Sequence, residues 1–208
     1  MPKERNLKKA LLIVDVQNDF LPGGALAVPD GDQVIPIIND LQKEFPLVVA
    51  TEDCHPENHS SFAHFHGKKP GEKIEVEGEL QELWPVHCVQ GSWGAELAPS
   101  LEKGRIDQVF YKGTDARVDS YSAFFDNQRL RSTGLTAYLR EKGIEKLYIV
   151  GLATDYCVKF TALDALSEGF SVYVIPEGCR GIDLAPGDVE KAYFEMEKAG
   201  VCFCPLSC

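Results

Sequence analysis

A single-domain, Rossmann-like three-layer α/β/α fold with a mostly parallel six-stranded sheet is predicted by three features of this 208-residue chain. Short apolar runs alternate with segments of helical periodicity, the pattern of strands joined by crossover helices. The runs are dominated by Val, Ile and Leu, as expected of strands covered on both faces. No internal repeat or interdomain linker interrupts the alternation, so residues 1–208 read as one domain.

The elements follow in order. Ala10-Leu-Leu-Ile-Val14 is the first strand and stops at Asp15. Val34, Ile37, Ile38, Leu41 and Phe45 then form a stripe at helical spacing. Leu47–Thr51 is the second strand. Residues 54–107 are rich in Gly, Pro, His and charge and show no sustained period. A loop that long inside a domain usually carries function. Gln108–Lys112 is the third strand, and Leu130–Lys142 reads as a helix ended by Gly143. Lys146–Val150 is the fourth strand, broken at Gly151. A helix then starts near Thr154 or Asp155, either of which can act as N-cap, and runs to Ser167. Ser171–Ile175 is the fifth strand, Asp188–Ala199 a helix stopped by Gly200, and Val201–Cys204 the sixth strand.

Composition narrows the function. The chain is 44% hydrophobic and 25% charged, ordinary for a globular domain. Its net charge of −11 argues against nucleic acid, which demands clustered Lys and Arg. The apolar run before Asp15 is too short to span a membrane, and no secretory leader precedes it. Seven cysteines, an odd number without a leader, predict free thiols in the cytoplasm. Neither a G-x-G-x-x-G fingerprint nor a P-loop is present, so no dinucleotide or ATP site is expected. Cys202-Phe-Cys204-Pro-Leu-Ser-Cys208 lacks the partners of a zinc finger and reads as a last strand and tail.

Reactive side chains stand where the strands end. Cys157 lies in the first turn of the helix after the fourth strand. Unpaired N–H groups and the helix dipole favour a thiolate there, which makes Cys157 a candidate nucleophile. Asp15 and Lys112 end two other strands. Ligands of open α/β sheets bind beyond the carboxyl ends of the strands, so the three residues are expected to converge. Lys112 would then lower the thiol pKa, and Asp15 would take and return its proton. Taken singly, each has a plainer reading: a loop carboxylate, a solvated lysine and a small buried thiol.

A second group follows in Asp53-Cys-His55-Pro-Glu-Asn-His59. Asp53 and His55, two apart on extended chain, point to one side and suit a shared metal ion, with a further histidine from elsewhere. The remaining histidines are 59, 64, 66 and 87. His64 and His66 read as solvated loop. His59 is open between ligand, substrate contact and an orienting group. Cys54 and Cys88 each adjoin one of these histidines or Asp53 and are expected to point away, because neighbours on a strand alternate.

Asp15-Val-Gln-Asn-Asp-Phe20, Asp53-x-His55-Pro, Trp84-Pro-x-His87-Cys, Lys112-Gly and Gly151-Leu-Ala-Thr-Asp-x-Cys157-Val together resemble the nicotinamidase branch of the isochorismatase-like cysteine hydrolases. The resemblance runs from about Leu11 to Cys204 with the motifs in the family's order. It implies Cys157 as nucleophile, Asp15 as general base and acid, and Lys112 as the supporting cation. It implies Asp53, His55 and His87 as ligands of one divalent ion, commonly Zn2+, with Fe2+ or Mn2+ in relatives. It further implies an oxyanion hole at the N–H groups of Ala153 and Cys157, and a cis peptide at Leu152–Ala153. Phe20 and Trp84 match the aromatic walls around a pyridine ring, with Tyr121 and Tyr156 as weaker matches. The 54–107 insertion would carry the metal residues. A fourth protein ligand, from His59 or the region of Ser61, stays open.

The activity this implies is hydrolysis of nicotinamide to nicotinate and ammonia through a cysteine thioester, in NAD salvage, with pyrazinamide as a further substrate. No membrane or nucleic-acid partner is expected, and a homo-oligomer is left open. The rivals are a metal-independent cysteine amidase acting on a carbamoyl compound and a non-catalytic zinc-binding protein. An isochorismatase-type ether hydrolase would lack the nucleophilic cysteine. A thiol redox protein would call for a C-x-x-C, which is absent.

Overall fold

Residues 8–76 and 78–206 are described by the computed structural model. In chain order the elements are β1 (Lys9–Val14), α1 (Val34–Leu41), β2 (Val48–Asp53), β3 (Lys73–Val76), β4 (Glu79–Glu82), β5 (Gln108–Lys112), α2 (Leu135–Glu141), β6 (Lys146–Leu152), α3 (Lys159–Ser167), β7 (Ser171–Arg180), α4 (Asp188–Ala199) and β8 (Cys202–Phe203). Six strands form one parallel sheet in the order β5-β2-β1-β6-β7-β8, as the strand-and-helix alternation predicts.

Strand parity sorts the core into two layers, since successive side chains point to opposite faces. Leu11, Ile13, Val48 and Ala50 pack with Val34, Ile35 and Ile38 of α1. Ala10, Leu12, Val14 and Val49 pack on the other face with Leu135 and Leu139 of α2, Ala162 and Ala165 of α3 and Met196 of α4. Every residue from Ala10 to Val14 is buried, so β1 is the central strand. Full burial of each large apolar side chain is worth about 1.5–3 kcal/mol.

The topology also decides where a site can form. From β1 the sheet grows through β2 to β5, then returns to place β6 on the other side of β1. Strand order reverses at this point, and a crevice opens beyond the carboxyl ends of β1, β2 and β6.

Several boundaries differ from the sequence reading. β6 continues through Gly151 to Leu152. Gly151 has φ +121°, and a Cβ there would collide with the main chain of Val14, so the glycine permits close strand approach instead of ending the strand. β7 runs on to Arg180 through a shift in register near Gly151. α2 starts at Leu135, not Leu130, because Gly134 is left-handed and the Thr133 hydroxyl accepts from Leu135 N at 3.2 Å. The segment 54–107 carries the antiparallel β3–β4 hairpin. Its signal, Lys73-Ile-Glu-Val-Glu-Gly-Glu-Leu-Gln-Glu82, is an apolar and polar alternation interrupted by Gly78, too short and too acidic to stand out. β8 covers only Cys202–Phe203, and Cys208 lies outside the described residues.

Candidate active site

Lys112 is the hub of the crevice. It ends β5 with its side chain fully buried. A buried ammonium costs several kcal/mol unless it is paired and hydrogen-bonded. Here its Nζ lies 2.9 Å from Asp15 Oδ2, pairs with Asp53 Oδ1, donates to Ser120 O at 2.9 Å and sits 3.4 Å from Cys157 Sγ. Burial opposes its charge, but the two carboxylates outweigh burial and push its pKa far above the usual lysine range. Three strand ends thus bring Asp15, Lys112 and Cys157 together across 142 residues of chain, from 15 to 157.

Asp15 follows β1 at φ 51°, an uncommon conformation for a residue with a Cβ. The Thr51 hydroxyl donates to its Oδ1 at 2.6 Å. Burial raises the Asp15 pKa, with Lys112 acting against that rise. Cys157 lies in a π-helical turn, Thr154–Val158, that leads into α3. Such turns recur at functional sites. Neither predicted N-cap side chain caps this turn: Ala153 is the N-cap, and the Asp155 carboxylate instead accepts from Ile182 N at 2.9 Å and Asp183 N at 2.8 Å. The Leu152–Ala153 peptide is cis.

The thiol corrects one expectation. The helix start and Lys112 were expected to favour a thiolate. Burial instead pushes the Cys157 pKa well up, Lys112 pulls it down, and Asp15 and Asp53 add to the rise. One ammonium cannot offset two carboxylates and a thiolate in a dry site. Burial and the two carboxylates thus favour the protonated thiol, against the pull of Lys112. Carboxylate oxygens of Asp15 and Asp53 and the Cys157 sulfur all lie within 4.8 Å of one another.

Asp53 connects this cluster to a second one. Its Oδ2 stands 3.7 Å from His55 Nε2 and 4.0 Å from His87 Nε2. These spacings are too long for hydrogen bonds. They are close to the separation of donors around one ion with ligand bonds of about 2.0–2.2 Å. The histidine tautomers agree. His55 Nδ1 is 2.9 Å from Gly113 O, and His87 Nδ1 is 2.8 Å from Pro85 O. A carbonyl only accepts, so each Nδ1 carries a proton and Nε2 is the atom each ring presents to an ion. Burial works against a charge on His55, but Asp53 prevails and raises its pKa, so an ion there would displace a proton from His55 Nε2. Burial, then the nearby His55, holds His87 down at about 4, a neutral imidazole at ordinary pH. Burial works against the charge of Asp53, but Lys112 and His55 prevail and keep it ionised far below the usual range. An ionised carboxylate and two Nε2 atoms are a donor set that fits a divalent metal.

The other histidines separate. His59 is fully buried, with Ser61 N donating into its Nδ1 at 3.2 Å. The Ser61 hydroxyl is bound to the same Nδ1 at 2.7 Å. His59 Nε2 is buried with no hydrogen-bond partner among the described residues, and His59 lies with His55 and Asp119 as a second group of possible metal donors. His64 and His66 are exposed on a short turn, Ala63–His66. Cys88 is buried among apolar side chains, and neither it nor Cys54 joins a donor cluster among the described residues.

A small pocket opens onto both clusters. Phe20, Trp84, Tyr121 and Tyr156 line it, together with Ala153, Cys157, Asp53 and His87. Trp84 meets Tyr156 edge-on at 4.8 Å and donates its Nε1 proton to the Tyr121 hydroxyl at 3.2 Å. Leu26, Ile182 and the buried Asp119 complete the lining. Asp119 accepts from Gln81 of β4 at 3.1 Å, which ties the hairpin to the pocket. These three and the supporting Thr51 were not singled out from the sequence, because they carry no motif of their own. Gln17 and Gly113 fall inside Asp15-Val-Gln-Asn-Asp-Phe20 and Lys112-Gly, but the sequence gives neither a role.

Residues 9–204 match the isochorismatase domain. The chain is 51% identical to the nicotinamidase of Escherichia coli (strain K12) over 196 residues, covering 92% of each. It superposes on a solved nicotinamidase and pyrazinamidase of Acinetobacter baumanii with TM-score 0.93 at 48% identity, covering 97% of this chain and 98% of that one. It superposes on the pyrazinamidase of Pyrococcus horikoshii in complex with zinc with TM-score 0.78 at 39% identity, covering 96% and 99%.

Proposed function

The chain belongs to the isochorismatase family, and on that premise we propose that Cys157, Asp15 and Lys112 hydrolyse nicotinamide to nicotinate and ammonia within NAD salvage. The nicotinamidases at 51% and 48% identity support the substrate, and pyrazinamide follows from the second of them. The observation that carries the reading is Asp53, which pairs with Lys112 through one oxygen and faces two imidazoles with the other. A metal-independent amidase would have no use for that second face.

Asp15 takes the Cys157 proton as sulfur attacks the amide carbon. The tetrahedral oxyanion is received by the N–H groups of Ala153 and Cys157. Asp15 gives its proton to the amide nitrogen, the C–N bond breaks and ammonia leaves. Asp15 then takes a proton from water as it attacks the thioester, and nicotinate is released with the thiol restored. Phe20 and Trp84 wall the ring, and orientation is their main contribution. A divalent ion held by Asp53, His55 and His87, assigned here as zinc, would supply a Lewis-acid anchor for the ring nitrogen. His59 is assigned as an orienting group outside the ligand set. The free cysteines favour a cytoplasmic enzyme, and no helix among the described residues is long and apolar enough to cross a membrane. Residues 1–208 are taken as one catalytic domain with 54–107 as its metal-bearing insertion.

Ammonia release from nicotinamide by purified protein, with and without a chelator, tests the reading. Chelation should abolish turnover and zinc should restore it. Turnover of a carbamoyl compound in preference to nicotinamide would overturn the assignment.

A further inference from the structure

The main-chain register of β1 and β2 ends at Ile13 opposite Ala50. The two acids of the site lie just beyond that point, where the backbones no longer hold each other. Two side chains take over, each reaching from one segment to the acid of the other.

We propose that Thr51 and Gln17 are positioning residues that stitch the ends of β1 and β2 together, Thr51 holding the acid that handles protons and Gln17 holding the acid that faces the metal. The inference rests on the roles assigned above to Asp15 and Asp53. Both stitching side chains are completely buried. A polar group in such a place is costly unless its bonds are made. Asp15 N donates to Thr51 Oγ1 at 3.3 Å, which leaves the hydroxyl proton for Asp15 Oδ1 at 2.6 Å. The hydroxyl is thereby fixed in direction and supports the carboxylate form. Oδ2 is left facing Lys112. Gln17 behaves as an extra peptide group. Its Oε1 accepts from Asp53 N at 2.8 Å, and its Nε2 donates to Asp53 O at 2.8 Å and to Ala95 O at 2.7 Å. Neither side chain lines the pocket.

The two links should fail differently. Without the Thr51 hydroxyl, Asp15 loses a donor to its charged form, returns its proton less readily and is free to turn. The slowed step is chemical, so kcat should change and KM should not. A carboxylate at position 17 would put an acceptor oxygen in place of Nε2, against the carbonyls of Asp53 and Ala95, and dislodge the metal-facing acid.

The test uses the full chain with Thr51→Val, Thr51→Ser, Gln17→Glu and Gln17→Met, measuring nicotinamide kinetics and zinc affinity by titration from a metal buffer. Thr51→Val should lower kcat by about ten- to a hundredfold, the effect of one hydrogen bond to a charged group. Its KM and zinc affinity should stay near wild type, and Thr51→Ser should restore most of kcat. Gln17→Glu should weaken zinc by about ten- to a hundredfold, as loss of a ligand's supporting bonds does. If circular dichroism shows that Gln17→Glu is unfolded, the isosteric Gln17→Met decides that arm. Wild-type kcat in Thr51→Val, equal loss in both Thr51 variants, or wild-type zinc affinity in a folded Gln17 variant would overturn the proposal. Wild-type protein that releases no ammonia from nicotinamide would sink the activity reading alone, and the zinc arm would still judge the stitch.

Discussion

Asp15, Lys112 and Cys157 stand at or just beyond the ends of strands in one sheet, whereas His55 and His87 hang on connecting segments aimed by carbonyls of Gly113 and Pro85. The thiol side is held by paired strands of one sheet, and burial and the Lys112 pairings together shift its pKa values. The imidazole side depends on loop backbone, and its ring directions are set by single hydrogen bonds. Asp53 belongs to both, as the last residue of β2 and the shared partner of Lys112 and the histidines. Strand ends can therefore fix a nucleophile, while a metal site needs loops that approach from several directions.

If this contrast holds, changes on the two sides should separate except where they pass through Asp53. The largest effect is expected for Cys157→Ala, which should cut turnover by at least about ten-thousandfold. Zinc content by elemental analysis should be unchanged, and a coincident loss of zinc would erase the distinction between the sides. Lys112→Met should also stop turnover, and it leaves Asp15 and Asp53 buried without their cation. It should cost about 3–5 kcal/mol of stability in urea unfolding. A midpoint close to wild type would mean that Lys112 is not the hub.

On the other side, His87→Ala should lose zinc on dialysis while Cys157 still alkylates in peptide mapping. Gly113→Ala should act in the same direction, because a Cβ there would fall on the His55 ring and φ is +64°. Replacing nicotinamide by benzamide removes the ring nitrogen but leaves shape and amide intact. We expect kcat/KM to fall by at least roughly a hundredfold, about 2.7 kcal/mol. Equal rates would sink the anchor role while sparing the thiol chemistry. The smallest effect probes the coupling itself. Burial raises the Cys157 pKa and Asp53 adds to the rise, so alkylation should be slow at pH 7.5 and quicken as pH climbs past 9. Zinc offsets the Asp53 charge and should speed alkylation at pH 7.5 by roughly threefold. A slower reaction with zinc, in the absence of substrate, would contradict this sign.

Legibility divided along similar lines. Apolar runs ending in Asp15, Asp53 or Lys112 were readable, because a strand buried on both faces leaves a local pattern. Asp188–Ala199 was readable to the residue, because Gly200 stops an amphipathic helix by its left-handed conformation. Leu130–Gly134 was misread, because the hydroxyls of Ser132 and Thr133 compete with helix for the backbone, a choice that propensity alone does not decide. The β3–β4 hairpin was missed because four-residue strands with only one or two apolar side chains each give a weak pattern.

The sequence by itself determined the order of the parallel-sheet strands and their helices, the strand-end places of Asp15 and Lys112 and, through motifs, the kind of chemistry. Local spacing and side-chain type carry that information, since burial and dihedral preference act over a few residues. Only the tertiary structure decided that Lys112 is buried between two carboxylates, that burial raises the Cys157 pKa against the pull of Lys112, and that Thr51 and Gln17 exchange acids across β1 and β2. Electrostatic work and hydrogen-bond geometry depend on which distant groups share a dry space. The order of residues along a chain does not state that distance.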